Sequence, residues 1–185
     1  MTERRSVIPD SHLAAIGHVA NTMATLEFYV DAGIWELVGA PQQLTACLTA
    51  QMISVHPKLK AFIGLVEVLG GSKETIGKLK AIQGRIAGLA EDRNRMIHDL
   101  RMVLQRTGET ARLQITAKPM VHFGFLTEPE DAVTKVANSI GQQLREFSEL
   151  RDAAIAEIRA LPEKSRPELV QIIPAQEQST PPKTA

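Results

Sequence analysis

From Ser11 to Val38 the apolar residues Ile16, Val19, Met23, Leu26, Val30, Ile34 and Leu37 recur at steps of three and four. That spacing lines one stripe of an amphipathic helix. Asp10 or Ser11 suits its start and Gly39 its end. Pro41 fits the first turn of a second helix running to about Val55, and Pro57 breaks the pattern after His56. A third, shorter helix continues to Leu69, where the pair Gly70-Gly71 ends it. Ser72 then caps a long fourth helix from Lys73 to about Gln105, with Glu74 well placed for the helix dipole. Its inward stripe reads Ile76, Leu79, Ile82 or Gln83, Ile86, Leu89, Arg93, Ile97, Leu100 and Leu104. Arg93 is the anomaly there, because a seam position is a costly place for an unpaired charge.

Beyond the turn marked by Gly108 the period changes. Ala111–Ala117 (ARLQITA) alternates as a strand does, Lys118-Pro119 interrupts it, and Val121–Phe125 (VHFGF) reads as its partner in a β-hairpin. Thr127 and Glu130 form the capping box of a last helix, about Glu128 to Leu161, with Pro129 tolerated in its first turn. Val133, Val136, Ile140, Leu144, Phe147, Leu150, Ile155 and Ile158 fall roughly at core spacing along it. The expected fold is therefore mainly all-α: an antiparallel bundle of four to five helices, with a short β-hairpin between the fourth helix and the last. Residues 1–10 form an N-terminal arm, 11–162 the helical domain, and 163–185 a tail rich in Pro, Gln and Thr that is expected to be disordered.

Composition narrows the possibilities. An aromatic content of 4% is low for a sheet-rich core and agrees with a helical protein. Lys plus Arg equals Asp plus Glu, 21 each, so a chain-wide basic footprint for nucleic acid is absent. The balance is uneven locally: Lys73–Arg106 holds eight Lys and Arg against four Asp and Glu. The single cysteine, Cys47, excludes an internal disulfide and a cysteine-rich zinc site, and its place on an apolar helix reads as a buried small hydrophobe. The start, MTERRSVIPDSH, has two arginines and no apolar run after them, so no secretory signal is expected. No run long enough to span a bilayer occurs, and a soluble cytoplasmic protein without a membrane partner is expected.

Familiar chemical constellations are missing. GGSKET (Gly70–Thr75) lacks the order of a phosphate loop and reads as a helix-to-helix turn. His12 and His18 are six residues apart, a spacing that does not put two ligands on one helical face, and no metal or cofactor is expected. His56 and His122 read as local structure. The stretch EDRNRMIHDL (Glu91–Leu100) is different. Glu91, Arg95 and Asp99, at steps of four, suit an exposed ion-pair ladder. That ladder leaves out Arg93, Asn94 and His98. Asn94 and His98 share one stripe a turn apart, with Arg93 beside it. Histidine can take or give a proton near neutrality, and arginine presents a planar fork of donors to charge developing on phosphorus. One copy supplies a single imidazole, whereas cleavage through the RNA 2′-hydroxyl uses both a base and an acid. Two copies in a symmetric dimer would supply both.

Arg93–His98, R-N-R-M-I-H, resembles the motif of the HEPN superfamily (higher eukaryotes and prokaryotes nucleotide-binding domains), an arginine and a histidine separated by four to six residues, with a polar residue such as Asn94 directly after the arginine. The order of elements is similar as well, from a long first helix bearing Glu27 to a motif near the end of a long helix, then a hairpin and a last helix. The likeness covers roughly Ser11–Leu161. It is strongest to bacterial stand-alone proteins with an E-R-N-R-x-x-H sequence, whose first acid is replaced here by Asp92. Leu100 stands where one toxin subgroup has tyrosine, which sets this chain apart from that subgroup. The resemblance implies a helical homodimer with two motifs facing across the interface. It also implies metal-independent endoribonuclease activity of a toxin–antitoxin or defence type, with an antitoxin or nucleotidyltransferase partner. Carried over, Arg93 and His98 are catalytic with Asn94 assisting, while Glu27 and Asp92 support them. The other reading of the same resemblance is a non-catalytic helical module that binds RNA, nucleotide or a protein partner.

Overall fold

The computed structural model describes residues 8–116, 122–129 and 131–162. Most of the expected N-terminal arm, the Lys118-Pro119 interruption, the Glu130 half of the capping box and the 163–185 tail lie outside them. Five helices and three strands follow in the order α1 (Asp10–Val38), α2 (Gln42–Thr49), α3 (Val55–Val68), α4 (Lys73–His98), β1 (Arg101–Val103), β2 (Thr110–Thr116), β3 (His122–Thr127) and α5 (Ala132–Ala160). The fold is mainly helical, with a small antiparallel sheet in the order β1-β2-β3.

The apolar stripes do what their spacing requires. Val19, Met23, Leu26 and Val30 of α1 are buried together with Leu59, Phe62 and Val66 of α3, Leu79, Ile82 and Ile86 of α4, and Ile140 and Phe147 of α5. Phe62 and Phe147 meet edge to face at 5.6 Å near the middle of this core. Gly33 makes room for Phe62: a Cβ there would stand 2.8 Å from Phe62 Cε2. Lys58 is buried on α3, but its Nζ donates to Asp31 of α1 at 2.7 Å, so the charge is paired.

Four boundaries differ from the sequence reading. The last helix starts at Ala132 rather than near Glu128, because Thr127, its expected cap, is the last residue of β3 and pairs with Ala111. The second helix stops at Thr49 rather than near Val55, and α3 takes Val55, His56 and Pro57 as its first turn. A proline in a first turn has no intrahelical hydrogen bond to lose, so Pro57 starts a helix here rather than ending one. Cys47 is exposed, not buried, because α2 turns Thr45 and Thr49 inward instead. The fourth helix ends at His98, seven residues early, and Arg101–Val103 joins the sheet as a third strand. Leu100 and Leu104 continue the helical spacing by coincidence. Leu100 lies 58% exposed at the edge of the sheet, and Leu104 opens the turn to Glu109 that Gly108 closes at φ +74°.

Candidate functional site

Both ends of α4 are tied down. At its start, the Ser72 Oγ accepts from the Thr75 amide at 3.2 Å, the capping contact its sequence suggested. Glu157 of α5 then accepts from the Ser72 N–H and from the Thr75 hydroxyl, each at 2.6 Å. The Thr75 hydroxyl, with help from the Ser72 amide and hydroxyl, holds the Glu157 carboxyl below its ordinary value against the opposing effect of desolvation. Gly71 permits this tight turn, since a Cβ would fall 2.5 Å from Val66 Cγ1. Midway along the helix, Arg85 reaches Gln143 and Glu146 of α5.

At the other end the chain leaves the helix at Asp99, whose backbone is extended while its N–H still donates to the Arg95 carbonyl at 3.2 Å. Arg101, two residues on, turns back beneath the last turn. Its Nη1 donates to the Met96 carbonyl, and its Nη2 approaches the buried Met96 sulfur at 3.2 Å. A guanidinium satisfying the last carbonyls is a sound way to end a helix, because those groups have no intrahelical donor and carry the negative end of the dipole. Arg101 faces Arg112 across the β1–β2 ladder. Like charges placed so are destabilising on their own. Glu128, directly after β3, resolves the conflict. Its Oε2 accepts from Arg101 Nε at 3.0 Å, and its Oε1 lies 2.9 Å from Arg112 Nε, off the hydrogen-bonding axis. Arg112 Nη1 completes the chain of charges by donating to Asp99 Oδ2 at 2.7 Å. The Arg101 and Glu128 side chains are only 3% and 6% exposed, which makes this a desolvated network rather than a surface ladder.

Among the described residues the bundle's close helix-to-helix packing does not extend to the sheet. The charge network joins the sheet to the end of α4. His12 Nε2 is buried 4.0 Å from Glu128 Oε2 with no hydrogen-bond partner. A cleft of about 780 Å³ opens beside this pair, bordered by Ser11, Thr110 and Thr134.

The motif residues occupy the last two turns of α4, directly above this hub. Arg93 is half-buried, and its Nη1 donates to Asn94 Oδ1 at 2.9 Å. Its Nε is buried without an acceptor. Asn94 and His98 are exposed. Among the described residues the only contact within this set is that between Arg93 and Asn94. Glu27 and Asp92 are half-buried and take no part in it. The expected ladder of Glu91, Arg95 and Asp99 does not form either. Asp99 has left the helix and pairs with Arg112 instead. Among the described residues no group of three or more His, Cys, Asp or Glu is arranged to hold a metal, and no helix is long and apolar enough to cross a membrane.

The hub itself was missed in the sequence. Its one legible sign was Arg112, an arginine between Ala111 and Leu113 in a strand pattern that gave it no partner. Comparison with known proteins brings no match: no family model, curated protein or solved structure is similar to this chain.

Proposed function

We propose that this protein is a metal-independent endoribonuclease of the HEPN type, working as a homodimer that pairs two copies of the Arg93–His98 motif. The observation that carries this reading is the state of Arg93. No carboxylate neutralises it among the described residues, and Asn94 holds one of its donors near a solvent-exposed His98. A helix end that served only as a scaffold would pair a half-buried guanidinium with an acid, as the same helix end does for Arg101. Arg93 retains donors for an outside anion, and a phosphodiester is an anion of matching geometry.

In the proposed reaction His98 of one copy takes the proton from a ribose 2′-hydroxyl, whose oxygen attacks the adjacent phosphorus. The P–O5′ bond breaks as His98 of the partner subunit gives its proton to the leaving oxygen. The products are a 2′,3′-cyclic phosphate and a 5′-hydroxyl. Arg93 stabilises the charge that grows on the phosphoryl oxygens, and Asn94 orients Arg93. The partners that suit such an enzyme are RNA as substrate and an antitoxin or nucleotidyltransferase that restrains it.

End-group analysis tests the chemistry. Products of single-stranded RNA carrying 2′,3′-cyclic phosphates are expected, and 3′-hydroxyl ends would sink this mechanism. Sedimentation at tens of micromolar should give twice the chain mass of 20.2 kDa, and a monomer at that concentration would rule out a composite site.

A further inference from the structure

The ends of α1 and α3 and the short α2 enclose an apolar groove of about 350 Å³, lined by Ile34, Val38, Leu48, Met52, Leu65 and Val68 among others. Leu48 and Val68 are 64% and 61% exposed at its rim. The groove's hydroxyls are already spent: Thr45 donates to the Gln42 carbonyl at 3.1 Å, and Thr49 accepts from Trp35 Nε1 at 3.0 Å. An occupant therefore meets almost no free polar group and must be apolar itself.

The chain carries such a segment beyond the described residues. Within the polar stretch 163–185, Leu169, Val170, Ile172 and Ile173 form one apolar cluster, bounded by Pro167 and Pro174. Its attachment point is close by. Leu161, at the end of α5, lies against Gly70, where an added Cβ would be 3.1 Å from Leu161 Cδ1, and Gly70 is two residues from Val68 at the groove's rim. The eight residues from Pro162 to Leu169 reach at most about 27 Å when extended. The 14 residues of α3 measure about 21 Å, so the cluster can lie anywhere along the groove. A tether that short also presents the segment at a millimolar effective concentration, which favours it over the same segment of another molecule.

We infer that Leu169–Ile173 docks in the groove between α1, α2 and α3 of its own chain. The docked segment covers the apolar rim and leaves the α4 motif open, so this inference stands independently of the proposed RNA cleavage.

Cys47, exposed on α2 beside Leu48, is the chain's single cysteine and gives the test a natural handle. With a nitroxide on Cys47 of the full chain, the amide signals of residues 169–173 should lose most of their intensity. The loss should vanish in the double variant Ile172→Asp/Ile173→Asp. Undiminished signals in the unsubstituted chain would overturn the inference. An equal loss in a mixture of spin-labelled, isotopically silent chains with unlabelled-cysteine, isotopically enriched chains would overturn it too, by assigning the groove to another copy's tail. Hydrogen exchange without any label supplies a second reading. The α2 amides should exchange faster in the double variant than in the original chain, and equal rates would contradict docking.

Discussion

Arg101 and Glu128 form a buried ion pair, Nε to Oε2 at 3.0 Å, that joins the first strand to the approach of the last helix. Glu128 is also the anion shared by two arginines that face each other across the ladder. Glu128→Gln keeps the shape but leaves the buried Arg101 guanidinium without a counter-charge and Arg112 with Asp99 alone. It should destabilise the protein by about 3–5 kcal/mol, the cost of breaking a buried pair from one side. Lys135→Ala, which removes an exposed pair with Asp131, should cost less than about 1 kcal/mol. Denaturant titration of both variants checks this. Equal effects would mean that the hub holds nothing.

Gly33 and Gly17 lie on the same helix in opposite surroundings. A Cβ at Gly33 would press to 2.8 Å on Phe62 and 3.1 Å on Arg151, whereas Gly17 has open space. Gly33→Ala should lose about 1–3 kcal/mol through overpacking, and Gly17→Ala should gain up to about 1 kcal/mol from helix propensity. Thermal unfolding of the two variants gives the signs directly. A stabilised Gly33→Ala would show that α1 and α3 are less closely packed than described.

Glu157 sets an acid-side dependence. Its carboxyl is held below the ordinary 4.5, chiefly by the Thr75 hydroxyl. A carboxylate with a depressed folded value contributes stability above its unfolded value and loses it as pH falls through the folded one. The stability gap between the original protein and Glu157→Gln should therefore be constant near neutral pH and shrink as pH falls below 4.5. Melting temperatures measured from pH 7 to pH 3 reveal it. A gap that widens toward acid would reverse the sign and remove Glu157 as the clamp on the start of α4.

How far the sequence reveals this structure depends on what each residue answers to. Ser11–Val38 and Ser72 were legible, because a long apolar stripe and a capping serine are local signals, and α1 and the start of α4 fall where they point. The end of α4 was not, since Leu100 and Leu104 satisfy a helical period by chance while the deciding contacts come from Arg112 and Glu128, far along the chain. The buried arginine was misplaced for the same reason. Spacing singled out Arg93, yet the fully buried one is Arg101, whose partner Glu128 lies 27 residues on. Within the motif, the Arg93–Asn94 contact joins sequence neighbours. Glu27, singled out on α1, has no such local tie to them.

Catalysis by Arg93 and His98 is read from a rate. The purified full chain, incubated with single-stranded RNA in excess EDTA, should cleave it, and His98→Ala should lower the rate at least about 100-fold, the loss expected when a proton-transfer group is removed. The melting temperature should hardly move, because His98 is exposed and bonded to nothing described. Equal rates for the two proteins across several RNAs would rule out RNA cleavage by His98.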